Sequence, residues 1–231
     1  MKIYIDRQKL NGRASLANVA SVGGLVVLLA SVVVPLFLPG TATLSLILLI
    51  LGASTAMVGI YLANRWIRKP RPEESLDKAL KAFDDHYRIY HYPALPCDHL
   101  LLTPAGVTAF EVVNLNGSFS YRDGRWKEAM TIGRALRYMV EPRVGDPFAV
   151  ARGQVEELGE RFQKELGAEA VVPIKALTVF THPGVELEIE GGSFPACRIE
   201  KLRKQSTLGA ARLTPEIYDK LAAFLEKATL G

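Results

Sequence analysis

Between Ala17 and Asn64 the chain has no aspartate, glutamate, lysine, arginine or histidine. A stretch that long without an acidic or basic side chain excludes an ion or proton pathway through it, because such pathways need buried charges or relays. Cysteine is almost absent: Cys97 and Cys197 are the only two, too few for a disulfide framework, and no zinc-type spacing exists. The four histidines, His86, His91, His99 and His182, are scattered. No glycine-rich phosphate loop, no Ser/His/Asp set and no Cys/His pair can be assembled from the sequence.

What stands in place of charge is apolar length. Ala17–Leu38 and Thr41–Asn64 each run for 20 residues or more, enough to cross a hydrocarbon core of ~30 Å at ~1.5 Å per residue. A cleaved leader would have a shorter apolar stretch and no second span directly behind it. Residues 1–64 hold four cations against Asp6, residues 65–71 hold four more, and the rest of the chain is net −3. The pI near 9.0 therefore belongs to the flanks of the spans. The loop at Pro39-Gly40-Thr41 is uncharged, so the positive-inside rule predicts a transmembrane helical hairpin with both termini in the cytoplasm. The same basic flanks suit anionic lipid as a partner. Gly52 and Ala56, and Gly59 and Ala63, lie four apart, and Gly23-Gly24 sits on the first span. Small residues at that spacing permit close helix approach, including self-association of the hairpin.

The expected organisation is a cytoplasmic N-terminal segment (1–16), the hairpin (17–64), a basic Pro-bearing linker (65–72) and one α/β domain (73–231). In that domain Leu76, Ala79, Leu80 and Phe83 predict a helix over 73–85, and Tyr87–Tyr92 a strand. Asp98–Thr103 and Val107–Val113 read as a β-hairpin about a Thr103-Pro104-Ala105-Gly106 turn. Ser118–Arg122 and Arg125–Met130 read as a second one about Asp123-Gly124. Phe148, Ala151, Val155, Leu158, Phe162 and Leu166 make one helical stripe. Ile174–Phe180 is an apolar strand, Val185–Ile189 and Ala196–Leu202 are shorter ones, and Thr214-Pro215 opens a last helix. The order predicts an α/β sandwich with a mixed sheet.

Glu111 is the anomaly. It interrupts the apolar run Thr-Ala-Phe-Glu-Val-Val of an inner strand, where a charge is costly unless paired or metal-bound. A two-residue turn at Pro104-Ala105 places Asp98 opposite Glu111, and a bulge at Gly106 would shift this by one residue. Glu73 shares the helical stripe of Leu76 and Leu80, so the sequence predicts three carboxylates converging on one sheet edge. Hard oxygen ligands of that kind suit Mg²⁺, Asp98 and Glu111 first among them.

The run Asp98-His99-Leu-Leu-Leu-Thr-Pro-Ala-Gly106-Val-Thr-Ala-Phe-Glu111-Val-Val-Asn114, with Gly117 and Trp126 beyond it, resembles the NERD (nuclease-related) domain. Asp146-Pro147 with Gln154 resembles that family's later Asn-Pro…Gln segment, and Glu73 aligns with its early helical glutamate. The resemblance runs from about Glu73 to Phe180. It implies a restriction-endonuclease-like fold in a membrane-attached bacterial protein. It also implies Glu73, Asp98, Glu111 and Gln154 as catalytic positions, Asp98 and Glu111 as ligands of Mg²⁺, and nucleic acid as partner. One position departs: the lysine of the family's Glu-x-Lys falls at Val113, on the strand face of Glu111. Valine can neither orient water nor offset charge on a phosphate, and loss of one such preorganised group costs ~10²–10³-fold in rate. The expectation is a degenerate nuclease site used for binding or scaffolding at the membrane. The alternative is a Mg²⁺-dependent nuclease with a relocated lysine, for which Lys127 beside Trp126 is the nominee. His99 follows Asp98 and should turn to the opposite strand face, into packing or a hydrogen bond.

Overall fold

The computed structural model describes residues 1–130, 143–167, 170–206 and 212–231. It divides into two compact units. One contains the two long apolar helices within Arg7–Arg71; the other joins Met1–Asp6 to residues 72–129 and 144–231.

In the first unit, α1 (Arg7–Phe37) and α2 (Ala42–Trp66) have mean hydropathies of 2.5 and 2.2 over their most apolar windows, of which only 11% is buried. A core helix of a soluble domain would be mostly buried. Here Val19, Val22, Leu25, Leu29, Val32 and Leu36 on α1, and Leu46, Ile47, Ile50 and Leu51 on α2, are all more than half exposed. Apolar surface of that extent asks for lipid or another protein. The two helices pack through their glycines. A Cβ on Gly24 would lie 2.4 Å from the Ala56 backbone nitrogen, one on Gly52 2.7 Å from that of Leu28, and one on Gly59 2.4 Å from that of Ser21. The small-residue face expected to serve self-association is therefore largely used inside the hairpin; Gly23, by contrast, has open space. At the basic end the Arg13 guanidinium lies 4.3 Å from the Trp66 ring centre, with Arg65 at 5.3 Å, a cation–π pairing suited to an interface.

The second unit is the mixed α/β sandwich the pattern predicts. Its main sheet has the order β1-β2-β3-β4-β7-β9, from β1 (Lys2–Ile5), β2 (Arg88–His91), β3 (His99–Thr103), β4 (Gly106–Val113), β7 (Ile174–Phe180) and β9 (Ala196–Arg198). A smaller sheet, β6-β5-β8, is made by β5 (Ser118–Arg122), β6 (Arg125–Glu128) and β8 (Glu186–Ile189). The β2–β3 and β3–β4 pairs are antiparallel, whereas β4–β7 and β7–β9 are parallel.

Helices cover both faces of the main sheet, following strand alternation. Tyr90, Leu100, Leu102, Val107 and Ala109 pack against Leu158 and Phe162 of α4 (Pro147–Leu166) and Leu221 and Leu225 of α6 (Pro215–Leu230). Ile89, Leu101, Phe110, Leu177 and Val179 face the other way, onto Leu76 and Leu80 of α3 (Pro72–Leu80) and Leu202 of the short α5 (Leu202–Gln205). Thr214 caps α6 by accepting from the Ile217 N–H at 3.4 Å, with Pro215 at its first position.

Four differences from the sequence reading have local causes. The helix begun at Pro72 ends at Leu80 rather than Asp85, since Asp84 and Asp85 would put negative charge on a helix C-terminus; Phe83 instead stacks on Tyr87 at 4.3 Å. The strand after Pro195 stops at Arg198, where its partner β7 ends at Phe180, and the chain turns into a 3₁₀ segment and α5. The stretch Val185–Ile189 does form a strand, but in the second sheet. The fourth concerns the segment read as a simple N-terminal extension. Lys2–Ile5 is an edge strand, paired parallel to β2 with Tyr4 opposite and stacked on Tyr90 at 4.9 Å. The N-terminal ammonium donates to the Phe83 carbonyl at 2.9 Å and to Asp85 at 3.0 Å. A lone four-residue strand with two polar neighbours is too short to carry a periodicity signal.

Two stability outcomes follow. Tyr4→Ala in the full chain removes a stacked pair and lowers domain stability by about 1–2 kcal/mol, read by denaturant unfolding; an unchanged midpoint would show that β1 is only an ornament on the sheet. Gly59→Val drives a side chain into the Ser21 backbone, so the detergent-solubilised hairpin should lose thermal stability, whereas Gly23→Val should not.

Candidate functional site

The first hairpin has the register its turn predicts. Thr103 faces Gly106, Leu100 faces Ala109, and His99 faces Phe110. The Thr103 hydroxyl locks the turn, accepting from the Ala105 N–H at 3.1 Å and donating to the Gly106 carbonyl at 3.0 Å. The ladder ends at His99 and Phe110, one residue short of Asp98 and Glu111. Both carboxylates act on one reporter. Burial first, then the negative charges of Asp98 and Glu111, push the Cys97 thiol far above its ordinary value.

Glu111 shares a strand face with Ala109 and Val113, the face covered by α4. Asp146 caps that helix through its side chain, accepting from the Phe148 and Ala149 N–H groups at 3.1 Å, and Pro147 takes the first helical position. Phe148 then packs edge-on against Tyr121 and Trp126 of the small sheet at 4.7 and 5.0 Å, while Leu158 and Phe162 anchor the far end. Between these anchors Gln154, 7% exposed, donates from Nε2 to Glu111 Oε2 at 2.8 Å. Two of the four expected site residues are thus in direct contact.

Glu73 lies elsewhere. α3 packs on the opposite face, the one that carries Leu101 and Phe110. There Glu73 accepts a hydrogen bond from the Tyr92 hydroxyl at 2.6 Å. Glu73 thus comes from the helix layer opposite the one that supplies Gln154. Among the described residues no three His, Cys, Asp or Glu side chains form a group able to hold a metal ion. A cation at this site would have to be held by the Asp98–Glu111 side with neutral oxygens.

Around Glu73 runs a buried polar chain that sequence reasoning did not assemble. Tyr92 takes a left-handed backbone (φ 61°), which breaks strand alternation, and its ring lies 5.0 Å from that of His99. His99 Nδ1 and His91 Nδ1 are 2.8 Å apart, and His91 Nε2 lies 3.0 Å from Asp77 Oδ1. Two N–H groups cannot meet head to head, so one of these two nitrogens accepts. The arrangement is met by His91 donating to Asp77 and accepting from His99. His99 thus faces away from Asp98 into a hydrogen bond, as its parity predicts. The only sequence signal for the rest was the aromatic–polar alternation of Tyr87–Tyr92.

Val113 is buried among Leu115, Phe119, Phe180 and Val185. Lys127 is exposed on the edge strand β6, paired with Ser120. Its neighbour Trp126 turns inward onto Phe180 at 5.6 Å, so alternation points the lysine away from that cluster. Lys175 is half-buried on the other face, near Cys197 and donating to the Gln205 carbonyl, with burial lowering its pKa.

Residues 71–181 match the family model described as NERD, the nuclease-related domain. These residues are a nuclease-related domain. No curated protein and no solved structure matches the chain. The NERD match spans α3 to β7 and takes in Glu73, Asp98, Glu111 and Gln154; the edge strands β1 and β9 and the covering helix α6 lie outside it.

Two outcomes test this geometry. Gln154→Leu strips Glu111 of its amide donor and should cost about 1–3 kcal/mol of stability by denaturant unfolding; a neutral result would place the bond outside the folded core. Burial also raises the Cys197 thiol to about 11. Raised thiols stay protonated at pH 8, so both cysteines of the folded chain should alkylate far more slowly than in denaturant; rapid labelling of Cys97 would contradict the buried carboxylate neighbourhood.

Proposed function

We propose that this protein is a membrane-anchored NERD module whose nuclease site has lost its chemistry and now binds or scaffolds at the cytoplasmic face of the membrane. The observation that carries the reading is Val113. The position assigned to the family's lysine by the resemblance holds an apolar side chain packed among Leu115, Phe119, Phe180 and Val185. A cation cannot be placed there without breaking that cluster. Lys127, exposed on an edge strand, offers no substitute.

The membrane part rests on three supports. The apolar faces of α1 and α2 are exposed, both flanks are basic, and β1 precedes the first span while α3 follows the second. Because β1 and the NERD strands pair in one sheet, a spanning hairpin must start and finish on the same side. The basic flanks make that side the cytoplasm. Anionic lipid is the first partner, and nucleic acid the ligand class that the family relationship suggests.

The second reading is a slow Mg²⁺-dependent nuclease. What favours it is the retained Glu111–Gln154 contact on the face of Asp98. In that case Asp98 and Glu111 would hold the ion, which would supply Lewis-acid stabilisation of phosphate charge. Glu111 would take the proton of the attacking water as its oxygen bonds to phosphorus, and the P–O bond to the leaving sugar oxygen would break.

The test uses the full chain in detergent, incubated with single- and double-stranded DNA and RNA in Mg²⁺ and in Mn²⁺. The degenerate reading expects no cleavage by the parent of any of these substrates with either metal. Parent cleavage that disappears in Asp98→Ala would overturn it in favour of the nuclease.

A further inference from the structure

Among the described residues, two side-chain oxygens on residues next to Glu111 have no hydrogen-bond partner. Gln154 is 7% exposed and has its Nε2 committed to Glu111, while its Oε1 makes no hydrogen bond. Thr178 is fully buried, and its Oγ1 makes none either. Thr178 is the register partner of Glu111 on the neighbouring parallel strand β7. Its face is the same one, since Ala109 with Ala176 and Val113 with Phe180 flank it in the ladder, and Phe110 and Leu177 turn to the opposite layer. Both orphaned atoms thus belong to residues next to Glu111, one on the adjoining strand and one on the helix that reaches it.

Leaving a buried polar atom unbonded costs about 1–3 kcal/mol, and native proteins do it rarely. Two such atoms on neighbours of one carboxylate ask for an occupant. The chemistry of the group identifies it. Glu111 as a carboxylate only accepts, the amide oxygen of Gln154 only accepts, and the Thr178 hydroxyl can do either. The donor set is all oxygen, which fits a hard divalent cation. Such ions keep several of their waters, and a metal-bound water has two hydrogens to give.

We propose that Thr178 Oγ1 and Gln154 Oε1 accept the hydrogens of a water carried by a divalent cation bound at Glu111. This rests on reading Glu111 as a retained nuclease-type carboxylate, and it separates ion binding from cleavage. Thr178 and Gln154 are positioning residues in this account, and the ion supplies positive charge that Val113 does not.

The test is Mn²⁺ binding to the full chain in detergent, followed by the electron paramagnetic resonance signal of free Mn²⁺, with Mg²⁺ as competitor. One site is expected, lost in Glu111→Gln. Thr178→Val, which keeps the shape and removes the oxygen, should weaken Mn²⁺ about 10–100-fold, the usual effect of removing a group that holds a ligand shell. Thr178→Ser should restore most of the affinity, and Gln154→Met should act in the same direction as Thr178→Val if the latter folds poorly. No Mn²⁺ bound at millimolar concentration, binding that survives Glu111→Gln, or unchanged affinity in both Thr178→Val and Gln154→Met would overturn the proposal. DNA cleavage by the parent would overturn the degenerate reading while leaving this one standing, and absence of Mn²⁺ binding would do the reverse.

Discussion

A carboxylate in an inner strand is the constraint around which this domain is arranged. Glu111 interrupts an apolar run and is met by Gln154 from the helix above it. That bond fixes where α4 must lie along the sheet. The rest of α4 follows from holding Gln154 there: the Asp146 cap and Pro147 set its start, Phe148 is clasped by Tyr121 and Trp126, and Leu158 and Phe162 seat its far half in the core. A core built for stability alone would put an aliphatic residue at position 111, because an apolar replacement of similar volume is often neutral or stabilising. An acid there, held by an amide, is the feature on which the proposed ligand-binding role rests.

Val113 lies on the same face two residues on, and its surroundings are wholly different. It belongs to the apolar cluster that joins the main sheet to the small one. The strand therefore carries two environments two residues apart: a carboxylate hydrogen-bonded by an amide at Glu111 and an apolar contact at Val113. Hydrolysis of a phosphodiester needs the first together with a cationic partner. At the second position the protein carries Val113, packed among Leu115, Phe119, Phe180 and Val185.

The secondary structure was legible where the signal was local and periodic. The hairpin register was readable from Pro104-Ala105, the turn at Asp123-Gly124 from its left-handed-tolerant residues, and both long helices from their stripes; Asp123 and Gly124 indeed have φ of 52° and 74°. Glu111 stood out because a lone charge in an apolar strand violates its own pattern. What was not legible is tertiary. Strand β1 carries four residues and no repeat, so only its partner reveals it. Glu73 has the right helical phase to face inward, but phase does not say onto which face of the sheet. Thr178 reads as an ordinary β-branched strand residue, and only the parallel register with Glu111 gives it meaning. The His91–His99 contact depends on antiparallel pairing across a loop, which spacing alone does not disclose.

Whether Glu111 is kept for a ligand or for the fold is decided most directly by the stability of Glu111→Gln in the full chain under chelator. The substitution keeps shape and hydrogen-bonding reach and removes only the charge. A carboxylate retained for binding is a liability when nothing is bound, so the variant should unfold at the same or a higher temperature than the parent. A drop of several degrees would make Glu111 a structural ion-pair member and contradict the account.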